Sequence, residues 1–239
     1  DDPLSFEHSG SSFVDILKGT DIPKRVAFSP DLSIVSMEKE IAEVCGGATK
    51  VFADIGAEVT DEIPDFTGVL EAFQTLRAVL FATMMEPIMQ QHRNKIAPEI
   101  IGNIERGLNI TPSQIFEAER VRIELFKKIL AFFETHDFLI CPAASIAPFP
   151  VDQRYVTEID GKPCETYIDW FAITFALTMT ACPTISVPCG FTSEGLPVGV
   201  QIMGKPRGEA ALLLAAKRFE QAIGISAKLP ITPQKLKLI

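Results

Sequence analysis

Residues 24–63 contain the pattern that most restricts the fold. "KRVAFSPD" (Lys24–Asp31) holds a short apolar strand from Arg25 to Phe28, broken by Pro30. Ile41, Val44, Ala48, Val51, Phe52 and Ile55 then recur at spacings of three and four, the period of an amphipathic helix. Ser36 is placed as its N-cap, Glu38 and Glu40 suit its positive end, and Gly56 stops it. "AEVTDEI" (Ala57–Ile63) alternates apolar and polar residues as a strand does. Strand, helix and strand in this order make a βαβ unit, whose crossover is right-handed and whose strands lie parallel. The chain is therefore expected to be α/β.

The rest of the chain agrees with that class. Phe66 to Gly107 reads as helical, with Pro87 and Pro98 expected to kink or divide it. Thr111, Pro112 and Gln114 form a capping box that opens a long helix. "DFLICPAA" (Asp137–Ala144) is a short apolar strand, followed by an irregular, proline-rich stretch to about Tyr167. Ile168–Ala181 is expected to be a buried helix. "PTISVPCGF" and "PVGVQIMG" are two strands around the turn "TSEGLP", where Gly195 suits positive φ and Pro197 begins the second strand. A last helix runs from about Gly208 to Ile223, followed by a polar, basic tail. Residues 1–239 are expected to form one α/β unit, with residues 1–23 linker-like.

Composition narrows the function. Of 239 residues, 47% are hydrophobic, yet no apolar run approaches the roughly 20 residues of a membrane span. A mean hydropathy of +0.22 implies a large core or a buried interface. The formal charge of −9 comes without a basic stripe, which argues against nucleic acid and anionic membranes as partners. Five scattered cysteines and no secretory signal fit reduced thiols and a cytoplasmic setting.

The candidate reactive groups are sparse. His8, His92 and His136 are remote in sequence, and Cys182 and Cys189 match no common zinc spacing, so no metal and no cofactor is expected. "GGATK" (Gly46–Lys50) lies within a helical pattern and is no phosphate loop. "HSGSS" (His8–Ser12) lacks the surroundings that activate a serine. A cysteine hydrolase built on Cys141 or Cys189 lacks a histidine partner. His136–Asp137 reads as a helix-end cap, and Asp169 as an acid stabilising the terminus of its own helix. Trp170, the only tryptophan, is a candidate pocket wall.

"ACPTISVPCGFTSEGLPVGVQIMG" (Ala181–Gly204) followed by "EAALLLAAKRFEQ" (Glu209–Gln221) resembles the C-terminal hallmark of the amidase signature family. The Gly-Leu-Pro-Val-Gly-Val-Gln run is its most specific element, and "DFLICPAA" resembles the strand before that family's pocket loop. The resemblance implies the C-terminal half of an amidase signature fold, a mixed central sheet flanked by helices, acting on linear amides. It also implies a Ser–cis-Ser–Lys triad in a Gly/Ser-rich signature, and this sequence contains no such run. No catalytic residue carries over, so all three are expected upstream of Asp1, and the chain is expected to be inactive alone. The first residue, aspartate and not methionine, agrees with that expectation.

Ile146, Trp170, Phe175 and Thr178 are the candidate substrate-binding residues, from their places in the proline loop and in the helix before the hallmark. The expected partners are a small amide and either an N-terminal half or a second copy. The alternative is a non-catalytic pseudo-enzyme or scaffold of the same fold.

Overall fold

In the computed structural model, which describes residue 10 and residues 12–225, the βαβ unit forms as expected. Strand β1 (Arg25–Phe28), helix α2 (Lys39–Asp54) and strand β2 (Glu58–Thr60) follow one another, and β1 pairs parallel with β2. A one-turn helix, α1 (Phe13–Ile16), precedes them. It lies within the segment read as linker, and Arg218 Nη2 ties the next turn down by donating to the Gly19 carbonyl at 2.7 Å. "HSGSS" apart from Gly10 and Ser12, and the basic tail from residue 226, lie outside the described residues.

Helix α2 begins later than the reading of Ser36 as its N-cap implies. Its N-cap position is Glu38, not Ser36, and the cap makes no side-chain bond. Glu38 is held extended by another part of the chain: its backbone N–H donates to the Ser145 carbonyl at 2.8 Å, and its carboxylate accepts the Ala147 N–H at 2.8 Å. Gly56 then takes φ +103° after the C-cap Ile55, as a helix stop requires.

The long helical region divides into α3 (Val69–His92), α4 (Pro98–Leu108) and α5 (Pro112–Phe132). Pro98 opens α4, where its missing N–H removes no bond. Pro87 does not break α3. A proline removes one donor from the ladder, and α3 is held by packing against α4, α5 and α6. Thr111 and Gln114 complete the capping box of α5 reciprocally, as their spacing predicts.

Strand β3 (Phe138–Pro142) lies between β1, parallel, and β7 (Pro197–Met203), antiparallel. Strand β6 (Thr184–Phe191) closes the order β2-β1-β3-β7-β6, a mixed five-stranded sheet with β6 at one edge among the described residues. The stretch read as irregular also holds a small hairpin, β4 (Glu158–Ile159) with β5 (Lys162–Pro163), turning at Asp160 (φ +50°) and Gly161 (φ +72°). Asp-Gly is a strong hairpin signal, so this turn is marked in the sequence itself.

Both faces of the sheet are covered. Phe138 and Ile140 of β3, with Val198, Val200 and Ile202 of β7, pack on α2 and on α7 (Glu209–Ile223). Leu139 and Cys141 face the opposite way, into α3, α5 and α6 (Ala172–Thr178). This alternation along a strand buried on both sides is the two-residue period of β structure. The helix expected over Ile168–Ala181 is shorter, a 3-10 turn at Asp169–Phe171 leading into α6.

Candidate functional site

The hallmark segment is a hairpin in which close packing requires glycine at Gly190 and positive φ favours it at Gly195. Gly190 in β6 faces α2, where an added Cβ would lie 2.6 Å from Val44 Cγ1. Gly199 in β7 passes beneath the loop that leaves β3, and a Cβ there would lie 3.5 Å from the Ala143 Cβ. Its carbonyl accepts the Ala143 N–H at 2.9 Å. Gly195 takes φ +82° in the turn. One residue, Cys189, is unpaired between Pro188 and Gly190, and this bulge points its thiol into the core against Cys45, with the sulfurs 3.8 Å apart.

The proline loop that follows β3 is fixed at successive residues. Gln201 Nε2 donates to the Pro142 carbonyl at 3.0 Å, and Thr174 Oγ1 donates to that of Ala143 at 2.7 Å. Ser145 N–H donates to the Trp170 carbonyl at 2.9 Å, while Glu38 holds Ser145 and Ala147 from the other side. Glu38 and Gln201 are therefore positioning residues, a role the sequence does not show: it presents Glu38 only as an acid near the start of α2 and Gln201 only as the last residue of the hallmark run. Their partners lie far away in the chain, and no motif marks such a tether.

This loop, the 3-10 turn and the hairpin enclose a cavity of about 470 Å³, walled by Ile146, Phe149, Trp170 and Val198 and bordered by Ser186. Phe149 meets Trp170 edge-on, with ring centroids 5.4 Å apart. Of the four substrate-binding candidates, Ile146 and Trp170 share this cavity. Phe175 is buried, stacks on Phe73 at 4.1 Å and lines a different cavity, beside Leu70 and Gln74. Thr178 is exposed and lines a third, between α3 and α5. Trp170, Phe175 and Thr178 are near neighbours in sequence, but the change from the 3-10 turn to α6 sends them in separate directions.

The remaining candidates take structural roles. His136 is buried in the core. Its ring is 2% exposed, stacks on Phe132 at 4.3 Å, and bonds Thr60 Oγ1 and Thr135 Oγ1, each at 3.0 Å. Asp137 caps β1, accepting the Lys24 and Arg25 N–H groups at 2.7 and 3.2 Å. Asp169 accepts the N–H groups of Glu165 and Thr166 at 2.6 and 3.0 Å, so it closes the turn before its helix, not the helix end itself. Among the described residues, no cluster of three or more His, Cys, Asp or Glu could hold a metal ion.

No thiol is poised as a nucleophile. A hydrogen bond with Cys189, then burial, pushes the Cys45 thiol pKa up, and burial does the same for Cys141. At Cys164 the upward shift comes from burial and then from Asp169 and Glu158. With Ellman's reagent, Cys164 and the half-buried Cys182 are expected to react in the native protein. Cys45, Cys141 and Cys189 are expected to react only after denaturation, so native-state labelling of Cys141 or Cys189, mapped by mass spectrometry, contradicts this placement.

Residues 3–213 match the profile of the family described as Amidase. The chain belongs to the amidase signature family. It is 29% identical over 222 residues to the acylamidase of Rhodococcus erythropolis, covering 92% of this chain and 46% of that protein. It is 25% identical over 215 residues to a glutamyl-tRNA(Gln) amidotransferase subunit of Alkaliphilus metalliredigens, covering 87% of this chain and 42% of that one. Among solved structures, a bacterial aryl acylamidase of the amidase signature family superposes with a TM-score of 0.78 at 23% identity, over 92% of this chain and 49% of that chain. A 6-aminohexanoate cyclic dimer hydrolase does so with a TM-score of 0.80 at 19% identity, over 97% and 51%. These structural likenesses show the fold, and the chain spans about half the length of the relatives it matches. No described helix is long and apolar enough to cross a membrane.

Proposed function

We propose that this chain supplies the substrate-side wall of an enzyme that hydrolyses linear amides, and that the lysine and two serines of the reaction come from sequence outside it. The observation that carries this reading is the cavity at Ile146 and Trp170: its described lining has apolar walls and the Ser186 hydroxyl but no lysine, histidine or carboxylate. Such walls suit a Ser–Lys mechanism. The lysine must be neutral to accept a proton, and an apolar setting disfavours its ammonium form. The activated serine would add to the amide carbonyl, expel the amine, and leave an acyl-enzyme for water to cleave.

Two further features support an incomplete site. Strand β6 leaves one edge of the sheet without a partner strand among the described residues. The Ser145 hydroxyl, beside the cavity, is fully buried with no hydrogen-bond partner among them. A polar group in that state costs about 1–3 kcal/mol. We assign the acyl-side wall to Ile146 and Trp170, the catalytic half to the β6 edge, and the setting to the cytoplasm.

The purified chain alone is expected to hydrolyse no anilide and to take up no serine-directed fluorophosphonate. A longer form carrying the preceding sequence is expected to do both. In that form, Trp170→Ala should change the kcat/KM ratio between a bulky and a small acyl group roughly 10- to 100-fold. Stoichiometric labelling of the chain alone would overturn the division of labour, and a folded longer form that stays unlabelled would instead favour a non-catalytic scaffold.

A further inference from the structure

We propose that the groove between α3, α5 and the C-terminal end of α6 is a binding site for an apolar monocarboxylate, such as a medium-chain fatty acid. The groove encloses about 710 Å³ and shares no lining residue with the Ile146–Trp170 cavity. Its size falls within the roughly 300–1,000 Å³ typical of small-molecule sites. Leu76 and Leu80 of α3, Ile123 and Phe126 of α5, and Met179 form its floor and walls. Leu80 and Ile123 are more than half exposed, at 55% and 53%. Opposite its core face, α5 carries a second apolar stripe of Phe116, Ile123 and Leu130, all exposed and seven residues apart. A helix that only packs on its own core has no need of such a stripe.

The rim selects the chemistry of the occupant. Arg77, Arg122 and Lys127 border the groove. Arg122 is neutralised by Glu119 at 2.6 Å and Lys127 by Glu124 at 2.7 Å, each three residues away on α5. Arg77 has no described carboxylate within ion-pair distance. Its guanidinium donates to neutral oxygens, Asn103 Oδ1 at 2.7 Å and the Tyr167 hydroxyl, and lies 4.7 Å from the centre of the Phe81 ring. These neighbours hold the fork in place and leave its charge uncompensated. A guanidinium has five N–H donors, so capacity remains for a further acceptor. An apolar channel beside one fixed, half-buried positive charge complements an apolar chain that ends in one carboxylate. Free amines are repelled there, and alcohols of equal length gain only the apolar contact.

Calorimetric titration of the full chain with decanoate, decanol and decylamine, below their aggregation concentrations, tests this. Decanoate is expected to bind at one site about tenfold more tightly than decanol, with decylamine weakest, since one charge-assisted contact is worth on the order of a factor of ten. Arg77→Gln should remove the preference for acid over alcohol, and Arg77→Lys should restore part of it. Ile123→Asp, at an exposed position, should weaken decanoate and decanol alike. If Arg77→Gln fails to fold by circular dichroism, the acid–alcohol comparison in the wild-type chain and the Ile123→Asp titration still decide. Equal binding of acid and alcohol, or no saturable binding, overturns the proposal. So does a wild-type dimer in sedimentation that Ile123→Asp converts to monomer, because a second copy would then be the occupant.

Discussion

Phe219→Ala is expected to destabilise the protein by about 3–5 kcal/mol, the range for removing a buried aromatic ring from a core that cannot close over the gap. Phe219 of α7 is fully buried and stacks on Phe52 of α2, also fully buried, with ring centroids 5.4 Å apart. These rings join the two helices that cover one face of the sheet, so the cavity would open where α2, α7 and β7 meet. For a chain of this length the loss corresponds to a fall in Tm of roughly ten degrees. Phe219→Leu keeps much of the volume and should cost less than half as much. A change in the urea midpoint equivalent to under about 1 kcal/mol for the alanine variant would mean that α7 is not packed as described.

Gly107→Ala sets two effects against each other. In a helix interior, alanine is favoured over glycine by about 1 kcal/mol, so propensity alone predicts stabilisation. At Gly107, however, an added Cβ would lie 2.0 Å from the Ala78 carbonyl oxygen and 2.8 Å from the Ala82 Cβ. The first of these contacts is with backbone, which cannot rotate aside, so α4 would have to move off α3. Overpacking of this kind costs about 1–3 kcal/mol or more, and it exceeds the gain in propensity. The net expectation is a loss of about 2 kcal/mol, with faster amide exchange in α4. Gly102, in the same helix, meets nothing within 4 Å, so Gly102→Ala should stabilise by up to about 1 kcal/mol. Like behaviour of the two alanine variants in urea denaturation would contradict the close approach of α3 and α4.

Much of the fold was legible because its signals are local. The capping box at Thr111, the stop at Gly56 and the turn at Gly195 each act within a few residues, where steric limits and hydrogen-bond reach dictate the outcome. Ser36 illustrates the limit of local reading. It has the chemistry of an N-cap, yet α2 starts at Lys39 because Glu38 is drawn to a loop more than a hundred residues away. His136 illustrates it again, since its partner Thr60 lies on a strand that only the parallel crossover brings near.

The sequence alone determined the α/β class, the parallel βαβ unit, the hallmark hairpin and the resemblance to the amidase signature family. Each of these rests on periodicity, on backbone freedom at glycine and proline, or on residue order along one stretch. Tertiary structure alone decided that Ile146 and Trp170 share a cavity while Phe175 and Thr178 face two others. It also decided that Glu38 and Gln201 hold the loop between them, and that Arg77 lies beside an apolar groove with only neutral partners. Those relations depend on which surfaces the folded sheet and helices bring within a few ångströms, and spacing along the chain does not encode that distance.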